Sequence, residues 1–231
     1  MSTPDEFLRG IRLNLGIKHF LTSNFLVESL VTNVINRRRM KLPTIDLTAV
    51  TGLANTVSIR SLPLNHWDTP YGDIVAICAI AKTIQPRTIL EIGTARGRTT
   101  LLLADNCPEA VISTYDIDPN AGAYFRNLSP PPRIELKICD VHVDRERLKA
   151  GPKFDLIFID ANHTFAAAKA DSDLALELLA PGGAILWHDY DNSGYLFGYN
   201  AVPEVLAQLA VGREISGIRG TTVAFYRSPS R

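Results

Sequence analysis

Residues 89–100 read ILEIGTARGRTT, and the way this stretch divides decides the fold. Its opening residues, apolar except for Glu91, predict a buried strand over Thr88–Ile92, and a helix is predicted from Arg98 to Asn106. Between them, Gly93 and Gly97 allow backbone conformations closed to other residues, and Ala95 is small enough to keep the passage open. A strand turning through such a loop into a helix is the first unit of an open parallel sheet. Sheets of this kind bind ligands beyond the carboxyl ends of their strands. The nicotinamide fingerprint GxGxxG fits poorly: counted from Gly93, its second and third glycines fall on Ala95 and Arg98.

Working outward, strand-like and helix-like segments alternate from Tyr71 onward, the pattern of a parallel sheet covered by helices on both faces. Helices are predicted over residues 71–84, after Pro119, over 163–179 and over 202–209. The turn Pro181-Gly182-Gly183 is read as closing the third of these. Strands are predicted over 111–116, 134–139, 154–160 and 184–188, with two more near 214–218 and 222–226. Residues 1–70 read differently. Apolar spacing through Phe7, Ile11 and Leu15, then Phe20, Phe25 and Leu30, predicts two short helices, and the run Arg37-Arg38-Arg39 reads as a solvated helix end. The expected division is a helical cap or oligomerisation segment over 1–70 and a catalytic domain over 71–231.

The chain has 231 residues, 46% of them hydrophobic, which suits one substantial core rather than two large domains. Its formal charge is zero, so no global positive field draws in nucleic acid or an anionic membrane, and neither is expected as a partner. Cys78, Cys107 and Cys139 form no CxxC pair, which fits a reduced, cytoplasmic setting. The N-terminal residues lack the pattern of a signal peptide, and the apolar run 74–81 is too short to span a bilayer.

ILEIGTARGRTT, followed by TYDIDP at residues 114–119, resembles the first two motifs of the class I S-adenosylmethionine-dependent methyltransferases. The resemblance implies an α/β fold: a Rossmann-like, seven-stranded, mostly parallel sheet in the order 3-2-1-4-5-7-6, counted from the strand at residue 88. It implies S-adenosyl-L-methionine as cofactor, held by Glu91, Gly93, Thr94, Ala95 and Gly97, with Glu91 facing the cofactor's cationic groups. Asp116 is the expected acceptor for the ribose hydroxyls, Asp140 matches the position near the adenine amino group, and Thr99 and Asp160 complete the set. Asp118 is read as a helix cap.

Two further stretches, IFIDANHTF at 157–165 and ELLAPGGAILWHDY at 177–190, resemble a narrower group, the metal-dependent small-molecule and sugar O-methyltransferases. If the strands ending at Asp160 and Asp189 are neighbours, these carboxylates lie roughly 5 Å apart and call for a cation between them. The expected metal ligands are Asp160, Asp189 and, most weakly, His188, for Mg2+ or another divalent ion. His188 departs from the group, whose members carry an acid there, and imidazole suits transition metals better than Mg2+. His163 is the expected general base, kept neutral by its place in a helical first turn. The implied reaction is attack of a substrate oxygen on the sulfonium methyl. His19, His66 and His142 read as surface or packing residues, and Tyr190, Tyr195, Phe197 and Tyr199 as either a wall for the acceptor or core and dimer contacts. The expected partners are a small hydroxyl-bearing acceptor and a second copy of the chain, met through the N-terminal helices. Two other readings stand beside this one: a non-catalytic S-adenosylmethionine-binding scaffold and an NAD-dependent oxidoreductase.

Overall fold

A computed structural model describes residues 41–52, 56–62, 69–129, 133–191 and 200–230. The expected N-terminal helices, the arginine run, His19, His66, Tyr195, Phe197 and Tyr199 lie outside the described residues. The strands are β1 (Thr44–Ile45), β2 (Thr88–Ile92), β3 (Val111–Asp116), β4 (Ile134–Ile138), β5 (Phe154–Ile159), β6 (Leu179–Trp187), β7 (Ser216–Ile218) and β8 (Ala224–Arg227). The helices are α1 (Leu47–Thr51), α2 (Tyr71–Ile84), α3 (Arg98–Asn106), α4 (Arg145–Ala150), α5 (Phe165–Leu178) and α6 (Val202–Leu209). A 3-10 turn covers Val141–Asp144.

The strands form one sheet in the order β1-β7-β8-β6-β5-β2-β3-β4. All neighbours are parallel except β8, which runs antiparallel to both β6 and β7. The central β5 shows why helices must cover both faces, because successive side chains of a strand point to opposite sides. Ile157 packs with Leu174 of α5 and Val205 of α6, while Leu156 and Phe158 pack with Ile77 and Ile80 of α2 and Leu103 of α3. Each of these side chains is completely buried, contributing about 1.5–3 kcal/mol.

From residue 88 onward the strand order is the expected one, but among the described residues the sheet has eight strands rather than the expected seven. The extra strand, β1, pairs Thr44 with Gly217 and Ile45 with Ile218, so residues ahead of the expected boundary at 70 belong to the sheet. Three local expectations also change. Residues 119–127 form turns rather than a helix, with Asp118 accepting from the Asn120 N–H at 2.9 Å and so holding a turn. Helix α5 begins at Phe165, two residues later than expected, with Thr164 extended before it. Pro181-Gly182-Gly183 is not a loop after that helix: Leu178 passes directly into β6, and the three residues bulge within the strand. Gly182 takes a φ of 74°, and a Cβ on Gly183 would lie 2.9 Å from the Asp155 carbonyl oxygen, so the bulge requires glycine. No helix among the described residues is long and apolar enough to cross a membrane.

Candidate active site

The glycine loop leaves β2 at the carboxyl edge of the sheet and is held almost wholly through its backbone. Gly93 has a φ of 96°, and a Cβ there would stand 2.0 Å from the Asp160 carbonyl oxygen. Only glycine lets the two strand ends come this close. Gly97, at φ 82°, leaves room for the Phe125 ring, and Ala95 also takes a left-handed conformation. Asp116, ending β3, ties the loop down: its Oδ2 accepts the N–H groups of Thr94 at 2.9 Å and Ala95 at 2.7 Å, and its Oδ1 that of Asp118 at 2.8 Å.

Glu91 takes a different place from the one expected. It is buried beneath the loop and accepts hydrogen bonds from the hydroxyls of Thr100 and Thr114. Burial pushes its carboxyl up to about 8, against the pull of the two hydroxyls. It thus supports the loop from below, as does Thr94, whose hydroxyl meets that of Thr114 at 2.6 Å. Thr99 is buried facing Thr69, their hydroxyls 3.2 Å apart.

A cavity of about 500 Å³ lies over this edge, lined among others by Gly93, Ala95, Asp116, Asp140 and Asp160. Asp140 holds the following 3-10 turn by accepting the His142 N–H at 2.9 Å. His142, read from sequence as a surface or packing residue, is brought to the cavity wall, where its Nε2 meets Asp171 Oδ1 at 2.8 Å. Burial raises the Asp171 carboxyl above its usual range despite that bond. The only sequence signal for this pair was an acid inside the otherwise alanine-rich face of α5.

Beside the cavity, β5 and β6 end together at Asp160, His188 and Asp189. Consecutive strand residues normally diverge, but Asp189 takes a φ of 59°, which turns its carboxylate back toward the side His188 occupies. His188 Nδ1 lies 3.3 Å from Asp160 Oδ1 and 3.4 Å from Asp189 Oδ1, and His163 Nε2 lies 2.9 Å from Asp189 Oδ2. His163 precedes α5 rather than sitting in its first turn.

Sequence reasoning missed Asp73, the one acid in the buried part of α2. It accepts from His188 Nε2 at 3.1 Å and from the Thr222 hydroxyl at 2.8 Å, while the Thr222 N–H reaches its other oxygen at 3.0 Å. Burial pushes the Asp73 carboxyl up, but these hydrogen bonds outweigh it and hold it below the usual range. Burial likewise pulls His188 down, but the carboxylates of Asp160, Asp189 and Asp73 win and hold the ring well above an ordinary histidine. An acid in an apolar helix stretch was the available signal.

Ligand atoms of Asp160, His163 and Asp189 all lie within 4.8 Å of one another, a donor set that fits a divalent ion. The buried Nδ1 of His188, which makes no aligned hydrogen bond, adds a fourth donor beside them. Tyr190, by contrast, does not line an acceptor site: it is buried, accepts the Leu42 N–H at 2.6 Å and packs against Gly217.

An open parallel sheet with a glycine loop after its first long strand, an acid ending the next strand and a cavity across both defines the class I methyltransferase fold. Residues 90–190 match the family model Methyltransf_24, described as a methyltransferase domain. The fold is similar to that of the O-methyltransferase from Bacillus cereus in complex with SAH, at 20% identity and TM-score 0.57 over 71% of this chain and 84% of that one. It is similar to the O-methyltransferase TomG from Streptomyces achromogenes, in complex with SAM, at 19% identity and TM-score 0.57 over 70% and 82%. SAH-bound methyltransferase PaMTH1 from Podospora anserina matches over 100% of this chain and 98% of that one, at 16% identity and TM-score 0.57. These likenesses are of fold. No curated protein shows significant sequence similarity to the chain.

Proposed function

We propose that the chain transfers the methyl group of S-adenosyl-L-methionine to a hydroxyl of a small molecule. The observation that carries this reading is the position of Asp160, which borders both the 500 Å³ cavity and the group formed by His163, His188 and Asp189. A cofactor in the cavity would rest on the backbone at Gly93 and Ala95, with Asp116 toward its ribose and Asp140, His142 and Asp171 at the adenine end. It supplies an electrophilic methyl. His163 takes the proton of the attacking hydroxyl, and Asp189 orients the ring and stabilises the imidazolium, the division of labour of a histidine–aspartate pair. A divalent ion at Asp160 and Asp189 would lower the hydroxyl's pKa.

The test is calorimetric titration with S-adenosylhomocysteine together with a labelled-methyl transfer assay over a panel of hydroxyl acceptors. Binding with transfer, and loss of transfer but not of binding in His163→Ala, is the expected result. Binding without transfer to any acceptor favours the scaffold, and binding of NAD in place of S-adenosylhomocysteine overturns the reading. The same proposal places the enzyme in the cytoplasm, supported by three free cysteines and a formal charge of zero, with neither nucleic acid nor membrane as partner. It pairs two copies of the chain through the N-terminal segment, which light scattering tests.

A further inference from the structure

The residue that departs from the metal-dependent group the sequence resembles, His188, is also one that a buried carboxylate holds in place. Asp73 is only an acceptor, so the 3.1 Å contact requires the proton of that contact on His188 Nε2. Asp73 cannot turn away, because Thr222 holds both its oxygens, at 3.0 and 2.8 Å. Both side chains are buried, at 6% and 4% exposure. With Nε2 committed, Nδ1 faces Asp160 Oδ1 at 3.3 Å and Asp189 Oδ1 at 3.4 Å and makes no aligned hydrogen bond to either.

Those spacings are long for charge-assisted hydrogen bonds, which run about 2.7–2.9 Å. They match donors that share an ion, since two atoms about 2.1 Å from one metal at roughly 90–110° lie about 3.0–3.4 Å apart. A carboxylate behind an imidazole whose other nitrogen faces the ligand cluster is the usual outer support of a metal-bound histidine.

We infer that Asp73, acting through His188, converts the site beside the cofactor cavity into a mixed nitrogen–oxygen site for a divalent transition ion rather than Mg2+. The inference rests on the metal-assisted reading above and deepens it. Asp160 and Asp189 each give an oxygen, His188 gives Nδ1, and Asp73 is a positioning residue that touches no ion. His163 stands beside these donors, its Nε2 2.9 Å from the other oxygen of Asp189 and within 4.8 Å of a ligand atom of Asp160, and the proposed function keeps it for the proton of the acceptor. An imidazole donor raises affinity for Mn2+, Co2+ or Zn2+ over Mg2+, which prefers oxygen.

The experiment uses the full chain stripped of metal and titrated with Mn2+ and Mg2+, with and without S-adenosylhomocysteine, reading affinity by calorimetry and imidazole ligation by nitrogen-14 electron spin-echo modulation on bound Mn2+. The expected result is Mn2+ bound at least about tenfold tighter than Mg2+, with nitrogen modulation present. His188→Asn, which keeps an oxygen donor, loses the modulation and narrows the preference. Asp73→Asn weakens Mn2+ binding about 10–100-fold, while thermal melts report whether each variant is folded. Equal affinity for the two ions, no binding of either, or modulation that survives His188→Asn and disappears in His163→Ala overturns the inference. S-adenosylhomocysteine binding is read separately in the same samples, so failure of the metal site and failure of the methyltransferase reading are distinguishable.

Discussion

The glycine loop and the strand-end cluster sit at the same edge of one sheet but are built from different materials. The loop is a backbone device: Gly93 and Gly97 provide the conformations and Asp116 ties down the amides. The cluster is a side-chain device, in which Asp160, His188 and Asp189 gain their meaning from Asp73, which lies 115 residues from His188 in sequence. A backbone device fails when a single carbon is added, whereas a side-chain device fails when one atom changes its chemistry and its shape stays the same.

Gly93→Ala tests the first half of that contrast most severely. Its Cβ would meet the Asp160 carbonyl oxygen at 2.0 Å in a left-handed backbone, so a loss of about 4 kcal/mol or more in stability is expected, with S-adenosylhomocysteine binding abolished. Melting and calorimetry read both. Asp189→Asn tests the second half. Turnover is expected to fall about 10²–10³-fold, or roughly 3–4 kcal/mol in the barrier, with cofactor affinity changed only a few-fold. If Asp189→Asn weakened cofactor binding as severely as Gly93→Ala, the two regions would be one site and the contrast would fail.

Glu91→Gln sharpens the comparison from beneath the loop. The folded-state pKa of Glu91 is raised, to about 8, above its unfolded value, so the folded protein keeps a proton that the unfolded chain releases. Its contribution therefore favours folding at acid pH and is lost as pH rises from about 4.5 to 8, at a slope of at most about 1.4 kcal/mol per unit. The expected result is that wild type loses about 2 kcal/mol or more relative to the variant between pH 5 and pH 8, measured by denaturant unfolding. Parallel pH profiles would show that burial does not control this carboxyl. The smallest expected effect is Asp171→Asn: a two- to fivefold loss of S-adenosylhomocysteine affinity, about 0.5–1 kcal/mol, as His142 loses its charged partner.

This contrast also explains what was legible in the sequence. The loop was readable because a glycine's backbone requirement is local, and the parallel strands were readable from almost continuous apolar runs such as residues 154–159, broken only by Asp155. The placement of Glu91 was not, since a charged residue on a strand points to the ligand or to the core according to register. The roles of Asp73 and His142 were hidden because each depends on a partner from a distant element. The bulge at Pro181-Gly182-Gly183 was misread as a turn because its pairing partners, including the Ser228 N–H on the Gly183 carbonyl, come from the far end of the chain.

The edge strand β1 also carries a consequence for how the molecule is made. Its backbone partners are Gly217 and Arg219, and the Leu42 N–H just ahead of it bonds to Tyr190, 148 residues on. Contacts that close so long a loop form late, and chains emerge from the ribosome N-terminus first. Residues 42–45 are therefore synthesised well before their partners and dock late. Until the C-terminal strands exist, residues 42–45 lack their partners on the sheet, so the docking of β1 waits on the synthesis of residues 217–219.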